Sequence, residues 1–404
     1  MSHSLQILLL LALVIAAAKG AGVLAGKIGQ PAVFGEILIG LLLGPTILDV
    51  LAWRIFNSAG GSTGLADLFG DFAHIGVLLL MLVAGLETDL QEMRRVGKTA
   101  FWSALGGVVL PLGGGALTAV AFGLPLYWEG IFIGTVLTAT SVSISAQTLI
   151  ELGALKTREG STILGAAVID DVMGIIVLSL VVAAAGASAA GLDLGQIRFL
   201  ALRIAGFFGI GIIAGRWMAP LLRWASGMPV SQALLACVLI VAFVYSWAAE
   251  YVGAVAAITG SYLAGVLIAQ TPFKRQVDEG VHPLTYSMFA PIFFVNIGLQ
   301  ANGRELGSSA LFAVTLVAVA IVTKAFGCGV FARLSGFSTK ESVRVGAGMI
   351  SRGEVGLIVA SYGLTHQIIG RDVFSASVVM VLVTTMVTPP LLRLTFPKGR
   401  AASS

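Results

Sequence analysis

Apolar residues run in long blocks along this chain, and polar interruptions fall between them at nearly regular intervals. Each block is far longer than a barrel strand needs and close to the ~20 residues that carry a helix across a bilayer core. The pattern predicts about thirteen spanning helices, at roughly 5–25, 31–48, 70–88, 99–122, 127–151, 160–184, 199–218, 230–250, 254–270, 283–300, 309–332, 342–364 and 372–394. The first block lacks a basic leader and continues through 20–25 with only Lys19 interrupting, so it reads as a span rather than a cleaved signal.

Composition points the same way. Of 404 residues, 57% are hydrophobic and 11% charged, against about 25% charged in a soluble domain. Too few charges remain to cover a water-facing surface, and no polar stretch is long enough for a second domain. The expectation is one membrane domain over residues 1–404. The formal net charge of +4 is small and the basic residues are spread over short loops, which argues against a nucleic-acid partner. Cys237 and Cys328 lie in apolar blocks, and His3, His74, His282 and His366 are scattered, so neither a disulfide framework nor a metal cluster is expected.

Charge placement tests the helix count. With the N-terminus outside, sixteen basic residues fall in inside loops and the tail: Lys27, Arg94, Arg95, Lys98, Lys156, Arg158, Arg216, Arg223, Lys274, Arg275, Arg333, Lys340, Arg344, Arg393, Lys398 and Arg400. Only Arg54, Arg198, Arg304 and Arg371 fall outside. This bias supports an odd number of spans, an outside N-terminus and an inside C-terminus. Thirteen spans also divide into six, one and six, which permits two inverted six-helix repeats joined by a linker helix at about 199–218. Lys19 and Arg203 stand near enough to helix ends to snorkel or to face protein.

The sharpest chemical signal is Asp170–Asp171 in the middle of the sixth block. One Asp at a helix centre costs about 2.5–3.5 kcal/mol to insert, and two in succession demand a reason. They lie about 100° apart around a helix, so one can face a water-filled cavity while the other pairs with a neighbouring helix. Lys324, deep in the eleventh block, is the expected counter-ion. In the fifth block Thr138, Thr140, Ser141, Ser143 and Ser145 put five hydroxyls into eight residues, which weakens a helix and offers oxygen ligands. A break there would free carbonyls for a cation, and Ser351-Arg352-Gly353-Glu354-Val355-Gly356 offers a matching break in the twelfth block. Close packing through small residues is the plainer reading of each stretch alone. Glu36 reads as a helix–helix bond, and Pro291 with Asn296 as a kinked, partly polar helix that could line the cavity. The chain has no Gly-x-x-x-x-Gly-Lys-Ser/Thr loop, so no ATP is expected, and no Thr-Val-Gly-Tyr-Gly filter, which weighs against a potassium pore.

Taken together, Gly35-Glu36-Ile37-Leu38, Gly85-Leu86-Glu87-Thr88-Asp89, Thr138-Ala139-Thr140-Ser141-Val142, Val168-Ile169-Asp170-Asp171-Val172, Pro291-Ile292-Phe293-Phe294 and Arg352-Gly353-Glu354-Val355-Gly356 resemble the monovalent cation:proton antiporter-2 family. Within it the chain is similar to the double-aspartate sodium/proton antiporters. The resemblance implies an all-α polytopic fold with two crossed discontinuous helices. It also implies a homodimer in the cell (inner) membrane, a mobile core (about 99–184 and 309–394) and a dimerisation panel (about 5–88 and 230–300). Asp171 matches the ion- and proton-binding carboxylate and Asp170 the neighbour that pairs with a lysine, here Lys324. Thr138, Thr140 and Ser141 fall at the first break, and Arg352 and Glu354 at the second. The expected activity is electrogenic exchange of Na⁺ or Li⁺ for H⁺ by alternating access, with no cofactor, and with Na⁺ at Asp171 beside Asp170 and Thr140. Potassium/proton exchange on the same scaffold is the alternative; a cation channel and a non-transporting sensor are further ones. Two departures stand out. The chain stops soon after its last span, where glutathione-gated relatives carry a nucleotide-binding domain, and Ser351 stands where many relatives have proline.

Overall fold

The computed structural model describes residues 3–28, 30–53, 55–56, 62–88, 90–186, 194–255, 257–299, 310–365 and 367–396. Among them there is no strand. The helices are α1 (His3–Lys27), α2 (Ala32–Leu43), α3 (Ser62–Glu87), α4 (Leu90–Ala121), α5 (Ile131–Thr138), α6 (Val142–Glu151), α7 (Arg158–Gly186), α8 (Leu194–Ala214) and α9 (Met218–Ser226). They continue with α10 (Ala233–Trp247), α11 (Ala257–Ala269), α12 (Lys274–Leu284), α13 (Ala290–Leu299), α14 (Ala310–Leu334), α15 (Thr339–Gly348), α16 (Glu354–Thr365) and α17 (Arg371–Thr395). Four pairs act as single passes: α5 with α6, α8 with α9, α12 with α13, and α15 with α16. The passes then correspond to the thirteen expected from the apolar blocks. Of the basic residues behind the orientation argument, Arg54, Arg304, Lys398 and Arg400 lie outside the described residues, as does Asp89.

Several ends differ from expectation, and two of them have plain physical reasons. The third pass starts at Ser62 rather than near 70, because a helix can run beyond the hydrocarbon where hydropathy no longer marks it. The tenth starts at Lys274 rather than 283. Its first half is polar on one face, so a search for apolar blocks passes over it, and Pro283 lies inside the helix. The backbone then widens into a π turn, Thr285–Phe289, before α13; such turns leave carbonyls without their usual partners. One of these, Tyr286 O, accepts a hydrogen bond from Lys19 Nζ at 2.7 Å. Lys19 thus faces protein, as does Arg203, which donates to the Val252 carbonyl at 2.7 Å.

Two groups of helices surround the middle of the chain. The helices α4–α7 and α14–α17 pack on one another, while α1–α3 pack with α11 and α13. Small residues set the closest approaches, since lipid supplies no hydrophobic drive between helices. Where α4 meets α14, a Cβ on Gly327 would stand 2.3 Å from the Gly106 carbonyl oxygen, and a Cβ on Gly106 would stand 2.4 Å from that of Gly327. The same device joins α3 to α11 through Gly85 and Gly265, whose Cβ atoms would lie 2.3 Å from facing carbonyls. Away from these seams, large apolar side chains such as Leu117, Ile210, Tyr251 and Leu394 are exposed.

Substituting Gly327→Leu should therefore push α14 off α4 and cost about 3 kcal/mol or more, seen as a lower melting temperature in detergent. Gly113→Leu, at a position with open space beside it, should leave the melting temperature unchanged.

Candidate functional site

The fifth and twelfth passes both break in mid-course. Between α5 and α6, Ala139 (φ −52°, ψ 142°) and Ser141 (φ −93°, ψ 109°) are extended. Between α15 and α16 the chain runs irregularly from Ile350 to Gly353. The two breaks meet: Ser141 N–H donates to Ser351 O at 2.9 Å, and Ser351 Oγ donates to Ser141 O at 2.9 Å. A proline at 351 would have no hydroxyl to donate, so the serine at this position adds a bond to the crossing. Ser145 Oγ donates to Gly348 O at 2.5 Å and lies 2.9 Å from Ser351 Oγ.

A broken helix leaves carbonyls that lipid cannot satisfy, each costing several kcal/mol if left alone. Two cations meet that need. Lys324 Nζ, fully buried, donates to Thr138 O at 2.7 Å and to Gly107 O at 2.8 Å. It also lies 2.9 Å from Asp170 Oδ2 and 3.1 Å from Oδ1. Arg352, equally buried, donates to Leu137 O at 2.7 Å, to Ala320 O at 3.2 Å and to Ile350 O. Thr385 Oγ1 in turn donates to Arg352 O. The end of α5, with its partial negative charge, is thus held by two positive groups. The side chain of Glu354, expected at this second break, lies outside the described ones.

Asp170 and Asp171 divide as their angular separation requires. Asp170 turns to Lys324 and also accepts from Thr140 Oγ1 at 2.5 Å. Thr140 therefore serves Asp170 and is not among the residues lining the space beside Asp171. Asp171, 5% exposed, lines a cavity of about 40 Å³ together with Thr135, Thr138, Ala139, Asp170, Gly174, Leu178, Val355 and Val359. A single water needs roughly 10–15 Å³ by this kind of measure, so a small, partly dehydrated cation fits. Thr138 Oγ1 donates to Thr135 O at 2.7 Å and has lone pairs left to offer. Gly174 faces it: a Cβ there would stand 4.0 Å from Thr138 Oγ1.

The structure thus brings Asp170, Asp171, Lys324, Thr138, Thr140, Ser141 and Arg352 into one cluster. Thr135, Gly174 and Val355 also belong to it and did not stand out in the sequence. Gly174 carried a usable signal, since it follows Asp171 by three residues and so shares its helix face. The α13 helix, with Pro291 and Asn296, contributes nothing to this cavity. Glu36 is buried 3.8 Å from Lys19 Nζ, between α1 and α2. Among the described residues no group of His, Cys, Asp and Glu could hold a metal as a resident cluster.

Comparison with known proteins gives a consistent picture. The family described as "Sodium/hydrogen exchanger, transmembrane" matches residues 9–396. The chain is 39% identical over 386 residues to the Na(+)/H(+)-K(+) antiporter GerN of Bacillus cereus, covering 96% of this chain and 95% of that one. It is 36% identical over 386 residues to the Na(+)/H(+) antiporter of Enterococcus hirae, covering 95% and 96%. Its fold resembles that of the sodium proton antiporter MjNhaP1 from Methanocaldococcus jannaschii, with a TM-score of 0.72 at 16% identity over 97% of each chain.

Removing one member of the buried pair leaves the other charge and two carbonyls exposed to a dry interior. Lys324→Ala should cost about 3–5 kcal/mol, while Asp170→Asn combined with Lys324→Met should recover only part of that loss, because the Thr138 and Gly107 carbonyls stay without a donor. Melting temperatures of the three proteins in one detergent check both expectations.

Proposed function

Because the chain belongs to the sodium/hydrogen exchanger family, we propose that it is a secondary antiporter that exchanges Na⁺ or Li⁺ for H⁺ by alternating access. One observation carries this reading. Asp171 lines a cavity able to take a small cation, beside a carboxylate already neutralised by lysine, where two broken helices cross. Asp171 is the group for which cation and proton compete. Thr138 supplies a hydroxyl on the cavity wall, and Thr140 and Lys324 hold Asp170 beside it.

The coupling follows from charge. An ionised Asp171 facing a low-dielectric interior is costly to move. Bound to a cation or to a proton it is neutral, and the helices that carry it can shift. Those helices form the mobile core, about 99–184 and 309–394, which moves against a panel of about 5–88 and 230–300, with the pass at 199–218 as linker. When Asp170 yields Lys324 for a proton in each cycle, two protons cross for one cation and the exchange is electrogenic. Arg352 stays on the Leu137 carbonyl throughout and keeps the end of α5 capped. The chain acts as a homodimer in the cell membrane, N-terminus outside and C-terminus in the cytoplasm, which the bias of basic loops supports.

The name of the Bacillus cereus relative includes K⁺, so K⁺ belongs in the test. In proteoliposomes with a pH-sensitive dye, Na⁺ and Li⁺ should each dissipate a pH gradient, and faster when a membrane potential of the favourable sign is imposed. Asp171→Asn should reduce the signal to background. Robust exchange by that variant would overturn the assignment, and a response to K⁺ alone would replace sodium by potassium as the cargo.

A further inference from the structure

Among the described residues, a polar contact joins the two helix groups outside the lining of the ion cavity. Tyr286 OH, from the π turn between α12 and α13, donates to Gln147 Oε1 on α6 at 2.8 Å. Gln147 Nε2 donates to Glu151 Oε1 at 3.1 Å, and Glu151 Oε2 accepts from Ala32 N–H at 2.7 Å, at the first residue of α2. Tyr286 is itself fixed within its own group: Lys19 Nζ holds its carbonyl at 2.7 Å, and the His282 ring lies 4.3 Å from its ring centre. Gln147 is only 6% exposed, so its amide depends on these partners.

The position of this chain of bonds gives it a consequence. The Asp171 cavity is lined by Thr135, Leu178 and Val359, all on the halves of their passes away from Glu151. On the Glu151 side, which is the side of the basic loops, Ile144, Leu149 and Val168 pack into one apolar cluster with Ile37 and Phe294. None of the residues lining the Asp171 cavity lies on that side, where the Tyr286–Gln147–Glu151–Ala32 chain bridges the two helix groups.

We infer that Gln147 and Tyr286 form a latch that holds the ion-carrying helices closed toward the basic-loop side, and that opening to that side requires this bond and the Glu151–Ala32 bond to break. The inference rests on the exchange mechanism proposed above. Gln147 and Tyr286 act as positioning residues: they touch no ion, and set how often the site faces each side.

Tyr286→Phe and Gln147→Leu each delete the bond while keeping the side chain's bulk. Loss of one neutral hydrogen bond shifts a two-state equilibrium about fivefold. Amide hydrogen exchange on the full-length protein in nanodiscs should quicken about fivefold in peptides covering 32–43 and 142–151, with other peptides unchanged. In proteoliposomes the apparent KM for Na⁺ offered from the basic-loop side should fall, by at most the same factor, since a larger fraction is competent to bind there. The double variant should match Gln147→Leu, because that substitution already removes the bond that Tyr286→Phe deletes, together with the one from Gln147 to Glu151. Wild-type exchange in those peptides with an unaltered sided KM would overturn the latch. Faster exchange in every peptide with a lower melting temperature would also overturn it, as simple loss of packing. The exchange readout needs no ion transport. A transporting Asp171→Asn protein would therefore defeat the proposed function and leave the latch standing, whereas an unchanged Tyr286→Phe protein would do the reverse.

Discussion

An ammonium and a carboxylate lie side by side in the dry interior, and the rest of the site is arranged around them. Lys324 does more than balance Asp170. Its Nζ also closes the last carbonyl of α5 and a carbonyl of α4, so one cation ties three helices to one point. Coulomb attraction alone does not make such a pair favourable after desolvation. The added hydrogen bonds to Thr138, Gly107 and Thr140 do so, the Thr138 carbonyl being one that would otherwise be orphaned by the helix break. The pair and the break are therefore mutually dependent. An unbroken fifth pass would leave Lys324 without its Thr138 carbonyl, and without the lysine the break would leave that carbonyl bare.

The break also separates the tasks of two adjacent carboxylates. Asp170 is committed to lysine and threonine, so its charge is met inside the protein. Asp171, turned about 100° further, looks into space that Gly174 leaves open. Arg352 adds a second, permanently charged group at the same helix end. Close glycine contacts between α4 and α14 bring Lys324 near enough to reach across. The chemistry of the site thus depends on small residues that carry no functional group.

Much of this was legible in the sequence. Apolar blocks marked the passes, because lipid requires helices of about one length, and a double aspartate in such a block had to be matched by a buried cation. What remained hidden was direction. Spacing placed Thr140 near the site but did not say that its hydroxyl turns to Asp170 rather than to the cavity. Spacing placed Arg352 at the second break but did not say that its guanidinium closes carbonyls from Leu137, Ala320 and Ile350. The start of the tenth pass at Lys274 was missed because its first turns are polar, and Gln147 and Tyr286 were missed because neither residue type is unusual where it stands. Sequence reports which groups are costly in a membrane; only the packing reports which partner meets each cost.

The central claim is that a metal cation and protons exclude one another at the Asp170–Asp171 pair. Calorimetric titration of the purified protein with NaCl, repeated in buffers of different ionisation enthalpy, measures this directly. The account predicts a binding heat that varies with the buffer, corresponding to release of at least one proton per Na⁺ bound. A binding heat that is the same in every buffer would mean that sodium enters without displacing protons, and would contradict it.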